Sequence, residues 1–139
     1  MLIKTLLNKC YPVKHFVYGK VSLVNDRVVV AVSRRQGSLG QCGQCHRAAS
    51  GYDRLKERRF RFIPLWGFKV EFAYRPCRVK CPNHGIVVEY MPWADGKSSI
   101  SEPFKIFLAY WAKLLSWKGV ARHFQVTWQN VFESVEYVV

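Results

Sequence analysis

From Phe16 to Val32 apolar residues first recur two apart, at Phe16, Tyr18, Val21 and Leu23, then pause at Asn25-Asp26 and run together from Val28 to Val32. Residues two apart share a face of a strand, so this pattern predicts a β-hairpin turning at Asn25-Asp26. Upstream, Leu2, Leu6 and Leu7 predict a helix of about two turns that ends near Tyr11-Pro12, because proline cannot continue it. Arg34-Arg35-Gln36-Gly37-Ser38-Leu39-Gly40 reads as a polar loop. Alternation resumes with Phe60 and Phe62 against Arg59, Arg61 and Ile63, turns at Pro64-Leu65-Trp66-Gly67, and continues as Phe68, Val70, Phe72 and Tyr74 against Lys69, Glu71, Ala73 and Arg75. That predicts an antiparallel ribbon with one packed aromatic face and one charged face.

The stretch Met91-Pro92-Trp93-Ala94-Asp95-Gly96-Lys97-Ser98-Ser99 reads as a linker, after which the period becomes helical. Pro103 suits a first helical position, and Phe104, Phe107, Leu108, Trp111, Leu114 and Leu115 fall three and four apart. Ser116 to Val131 carries a helix-turn-helix pattern: Val120, Phe124 and Val126 turn inward, Ala121 is small where the helices cross, and Val131 and Val135 face the core from the second helix. Thr127 is the expected N-cap of that helix. Gln125 occupies the turn position commonly filled by glycine, where a positive φ costs on the order of 1 kcal/mol. A plain three-helix packing unit would show the same spacing. The expected fold class is α+β: a short helix and β-hairpin over 1–40, a small antiparallel β zinc ribbon over 41–95, and a C-terminal helix-turn-helix three-helix unit over 96–139.

Two short clusters give the middle segment its chemistry, Cys42-Gly43-Gln44-Cys45 and Cys81-Pro82-Asn83-His84-Gly85. Two-residue spacing lets both side chains of one tight turn reach a single Zn²⁺, which takes four tetrahedral sulfur or nitrogen donors. Gly85 supplies freedom for positive φ after His84, and Pro82 pre-sets φ in the turn; the first turn, followed by His46, is less ideal. Cys77 competes as a fourth ligand. If Cys77 to Cys81 is a strand, the two lie roughly 13 Å apart at about 3.3 Å per residue, so the set Cys42, Cys45, Cys81 and His84 is preferred. Reduced cysteines packed in a small core are the plainer alternative. A redox Cys-x-x-Cys would need a helix after Cys45, and none is predicted. Cys10 has no partner at ligand spacing.

Charge narrows the partner. The chain has 139 residues, 22 Lys and Arg against nine Asp and Glu, and a formal net charge of +13. Such an excess points to an anionic partner, most commonly nucleic acid. Candidate phosphate contacts are Arg34, Arg35, Arg58, Arg59, Arg61, Arg78 and Lys80, although a charged strand face can also be merely solvated. Candidate base contacts are Thr127, Trp128, Gln129 and Asn130 on the first turn of the last helix. No signal peptide is expected, since Lys4, Asn8 and Lys9 interrupt the apolar start, and no run reaches the ~20 apolar residues of a membrane span. The expected compartment is a reducing cytoplasm in which thiolates take a metal, with no membrane partner.

The ordered series Cys42-x-x-Cys45, Tyr52-Asp53-Arg54, Arg58-Arg59-Phe60-Arg61, Leu65-Trp66-Gly67, Arg78-Val79-Lys80-Cys81-Pro82-Asn83-His84-Gly85, Pro92-Trp93-Ala94 and Val120-Ala121-Arg122-His123-Phe124 resembles the N-terminal region of bacterial insertion-sequence transposases of the ISL-three type. The resemblance implies a zinc ribbon and helix-turn-helix that bind the terminal inverted repeats of double-stranded DNA, in a bacterial, nucleoid-associated setting where a homodimer is allowed. It also implies a DDE catalytic domain beyond the recognition helix. The chain ends at Tyr137-Val138-Val139, so this polypeptide is expected to bind DNA and not to cut it, as a truncated or stand-alone transposase. The rival expectation is a zinc-ribbon interaction or RNA-binding module without sequence-specific DNA recognition.

Overall fold

The computed structural model describes residues 2–139, with side chains from Ile3 onward. The fold is α+β. Helix α1 (Leu2–Cys10) precedes the hairpin β1 (Phe16–Val24) and β2 (Arg27–Arg34), followed by β3 (Gly40–Gln41), β4 (Ala48–Arg54), β5 (Arg58–Leu65), β6 (Phe68–Tyr74), β7 (Cys77–Cys81) and β8 (Gly85–Val88). Three helices close the chain: α2 (Glu102–Trp111), α3 (Trp117–His123) and α4 (Trp128–Val138).

The strands form two four-stranded sheets, ordered β1-β2-β6-β5 and β3-β4-β7-β8. The aromatic ribbon β5–β6 therefore extends the hairpin sheet, through parallel pairing of β2 with β6 in which Val30 faces Phe72. That pairing makes β6 a central strand, and it corrects the expectation of a charged outer face. Val70, Phe72 and Tyr74 are buried on one side, and Glu71 and Ala73 are buried on the other. Glu71 is accommodated because Arg27 and Arg59 reach its two carboxylate oxygens at 3.1 and 3.3 Å. A buried carboxylate otherwise carries a large desolvation cost, and the paired guanidinium groups offset it.

The linker reading of 91–99 is also corrected. Trp93 is fully buried and sits at the centre of the first core, its ring 4.9 Å from Phe16, 5.3 Å from Tyr74 and 5.8 Å from Phe60, all edge-on. Met91 joins the same core. The segment crosses the face of the hairpin sheet and fills it, so that its proline and glycine turns connect one large apolar plug to the helices.

A second core gathers Ile100, Phe104, Leu108, Val120 and Val131, with Ile63 of β5, Ala121, Phe124 and Val126 packed against it. Each helix in it starts on a side-chain cap. Ser101, Ser116 and Thr127 accept from the amides of Phe104, Gly119 and Asn130 respectively. Thr127 goes further and forms a capping box, because Asn130 Oδ1 accepts the Thr127 amide in return at 3.1 Å. Between α3 and α4, Gln125 has φ +54°, the left-handed conformation anticipated for that turn position. Gln125→Gly is therefore expected to raise stability by about 0.5–1 kcal/mol, relief of the left-handed strain exceeding the added freedom of the unfolded chain. Urea denaturation checks it through an upward shift of the midpoint.

Candidate metal centre and basic surface

In the second sheet β3 pairs with β4, β4 with β7, and β7 with β8, all antiparallel. The turn after β3 and the turn after β7 therefore lie at the same end, since Ser50 near the start of β4 faces Lys80 near the end of β7. This topology carries two cysteine turns, distant in sequence, to one point. Gln44 directs its amide at Cys42 Sγ, 3.4 Å away, and the His46 amide donates to the Cys42 carbonyl at 2.8 Å. Two local conformations make the turns possible. Gly85 has φ +71°, and a Cβ on Gly43 would stand 2.4 Å from the Val88 carbonyl oxygen, so the first turn closes against β8 only without a side chain there. His46 takes φ +60° without being glycine, and its ring stacks on Tyr90 with centroids 3.9 Å apart.

The donor atoms of Cys42, Cys45, Cys81 and His84 all lie within 4.8 Å of one another. Cys45 Sγ and Cys81 Sγ are 3.7 Å apart, and His84 Nδ1 is 3.6 Å from the sulfurs of both Cys42 and Cys81. A tetrahedral ion with bonds of about 2.3 Å to sulfur and 2.0–2.1 Å to nitrogen has edges of about 3.8 Å between sulfurs and about 3.6 Å between sulfur and nitrogen. These three edges match that shape and the other three are within 4.8 Å, so the four residues could hold a metal ion. Cys42 and Cys81 are buried and His84 is exposed, so an ion held there would be shielded on the sheet side. The amide of Asn83, the His84 side chain and the His84 amide favour the thiolate of Cys81, pulling its pKa down to about 6. At Cys45 the Arg47 amide acts in the same direction, but burial and the neighbouring sulfurs of Cys81 and Cys42 outweigh it and raise that thiol. Crowded thiolates that oppose one another's ionisation are what a divalent cation relieves. Cys77 stands at the far end of β7, opposite Arg54, with its thiol donating to the Arg78 carbonyl at 3.2 Å, outside the cluster. Among the described residues this is the one group of three or more His, Cys, Asp or Glu donors so gathered.

The arginines expected to meet phosphate are mostly occupied within the protein. Arg34, only 12% exposed, pairs with the buried Glu89 and lies over the Phe16 ring. Arg58 donates to the carbonyls of Gly96 and Ser98, and burial lowers its pKa. Arg59 joins Glu57 to Glu71, which raises its pKa. Arg61 donates to the carbonyls of Phe124 and Gln125. Arg78 and Asp53 form a two-bond pair that holds the Asp53 carboxyl below its usual range. Arg35 and Lys80 are exposed. Exposed basic residues that the sequence reading did not single out include Arg47 beside the first cysteine turn and Lys118 and Arg122 on α3. Arg47 adjoins the first cysteine motif, and Lys118 and Arg122 lie within the helix-turn-helix pattern, which was their only sequence signal.

On α4, Thr127 and Asn130 are spent on the capping box, and Gln129 donates to Glu133 one turn along, at 3.2 Å. Trp128 is 52% exposed, stacked against Phe132 at 5.8 Å and beside Trp117 at 5.6 Å. The first turn of α4 thus presents an aromatic surface next to one amide side chain.

Over 106 residues, 76% of its length, this chain is 32% identical to the "Transposase for insertion sequence element IS1557" from each of two strains of Mycobacterium tuberculosis. The chain is homologous to an insertion-element transposase. It spans about a quarter, 24%, of the length of those curated relatives. No family model matches the chain, and no solved structure matches it. No helix among the described residues is long and apolar enough to cross a membrane.

Proposed function

We propose that this chain is the DNA-binding portion of an insertion-sequence transposase, stapled by Zn²⁺ at Cys42, Cys45, Cys81 and His84, and that it binds the element's terminal inverted repeats in the cytoplasm of a bacterium. The observation that carries the reading is the similarity to an insertion-element transposase over 76% of the chain. The donor set supports zinc: three thiolates and one imidazole in a closed tetrahedron suit a structural site with no open position. In this reading α3 and α4 act as a helix-turn-helix, with Trp128 and Gln129 against base edges. The capping box takes Asn130 Oδ1 and Thr127 Oγ1 out of base recognition, which leaves Gln129 as the amide that reads. The excess of +13 supplies the phosphate attraction. Recognition is the role assigned to the described residues, and strand transfer is left to the remainder of the transposase.

The test is a mobility-shift titration of inverted-repeat DNA against competitor DNA across a salt series. The expected result is a preference for the repeats of at least tenfold, affinity that falls linearly on a log–log plot against salt, and a preference reduced about tenfold by Gln129→Ala with the salt slope unchanged. Binding without preference, or equal binding to RNA, would favour the interaction-module alternative and overturn the reading.

A further inference from the structure

Arg61 stands where three parts of the fold meet. Its backbone amide donates to the Ser99 carbonyl at 2.7 Å and its carbonyl accepts from the Ser101 amide at 2.9 Å, so β5 holds the residue that caps α2. Its side chain then crosses to the other helices. Nη1 donates to the Gln125 carbonyl at 2.8 Å and Nη2 to the Phe124 carbonyl at 3.0 Å, while the guanidinium lies over the Phe104 ring at 5.0 Å. These are carbonyls at the end of α3, where a helix has no further amides of its own to offer. Gln125 is also the residue in the left-handed conformation, two positions before the cap of α4.

We infer that Arg61 is a positioning residue: it clamps the turn between α3 and α4 to the hairpin sheet, thereby setting the pose of the first turn of α4, and it makes no phosphate contact. The inference rests on the function proposed above. Both Nη groups are engaged with carbonyls, and Nε is buried. The guanidinium is desolvated, which lowers its pKa, so it is oriented into the protein and has no free fork to present outward. The geometry demands arginine in particular, because its planar fork reaches two adjacent carbonyls at once and a lysine ammonium on its flexible stem does not reproduce that. Because the clamp joins α2, the α3–α4 turn and β5, the reading helix is held relative to the sheets by more than its apolar packing.

Arg61→Gln and Arg61→Lys in the metal-loaded chain test this by two readouts. Without DNA, amide exchange is followed at Phe124 and Val126, whose N–H groups bond the Val120 and Ala121 carbonyls. With DNA, affinity for inverted-repeat and competitor DNA is measured across a salt series. Both variants are expected to exchange at least tenfold faster at these amides and to lose about tenfold in preference for the repeats, while competitor affinity and the salt slope stay at wild-type values. A salt slope shallower by about 0.9 in Arg61→Gln and restored in Arg61→Lys would show a phosphate contact and overturn the inference. So would unchanged exchange, or a wild-type preference that survives both substitutions. Wild-type protein without any preference would instead sink the proposed function and this inference with it. If Arg61→Gln does not fold, Arg61→Lys decides, since it keeps the charge and the aliphatic stem.

Discussion

Cys81→Ser is expected to abolish metal binding and unfold the β3-β4-β7-β8 sheet. These strands have two, seven, five and four residues, and the buried apolar residues along them are few: Ala49 and Val79, together with the ligands Cys42 and Cys81. A core of that size cannot offset the backbone entropy of ordering the sheet, which runs to about 1–2 kcal/mol per residue. Structural zinc sites contribute apparent binding free energies of about 10–16 kcal/mol, comparable to the whole stability of an ordinary domain. Loss of one thiolate is expected to forfeit most of that. Metal analysis should fall from one ion per chain to below about a tenth, and exchange protection should vanish for β7 and β8 amides. Cys77→Ser, outside the cluster, is expected to keep stoichiometric metal. Full metal retention in Cys81→Ser, or its loss in Cys77→Ser, would assign the ligands wrongly.

Glu89→Ala is expected to cost about 3–5 kcal/mol, the range for removing one partner of a buried ion pair. The Glu89 carboxylate accepts from the Tyr74 hydroxyl at 2.7 Å and from the Cys77 amide at 2.6 Å, and it pairs with Arg34. Tyr74 and Arg34 belong to the hairpin sheet, while Glu89 itself bridges to Cys42 of the metal turn. The residue therefore ties the two sheets together and leaves a stranded guanidinium and a stranded amide when truncated. Urea denaturation should show the loss, and the melting temperature should drop by about 10 °C, at roughly 2–4 °C per kcal/mol for a chain of this size. The paired replacement Arg34→Met with Glu89→Leu should recover much of the loss, because no buried charge is then left alone. A cost below about 1 kcal/mol for Glu89→Ala would contradict the tie.

Local patterns were the legible part. The Asn25-Asp26 hairpin turn, the cysteine turns, the Thr127 cap and the positive φ at Gln125 are each decided within a few residues, where turn and cap chemistry acts. The parallel contact of β2 with β6 was not legible, because strand patterning gives the face of a residue and not its neighbour. Trp93 was hidden by Pro92, Gly96 and the serines around it, which mark turns whatever lies between them. The partners of the arginines within the protein were hidden for a related reason. Alternation placed Arg61 on the polar side of β5 and Arg58 on the aromatic side, but it could not show that the carbonyls of the α3–α4 turn and of the 96–98 segment lie within reach of them.

The most direct test of a metal-held DNA-binding fold is anisotropy of labelled inverted-repeat DNA titrated with the same protein preparation before chelation, after chelation, and after Zn²⁺ is restored. Tight, repeat-preferring binding that falls at least a hundredfold on chelation and returns with one Zn²⁺ per chain is the expected result. Repeat-specific binding that persists unchanged in metal-free protein would contradict it.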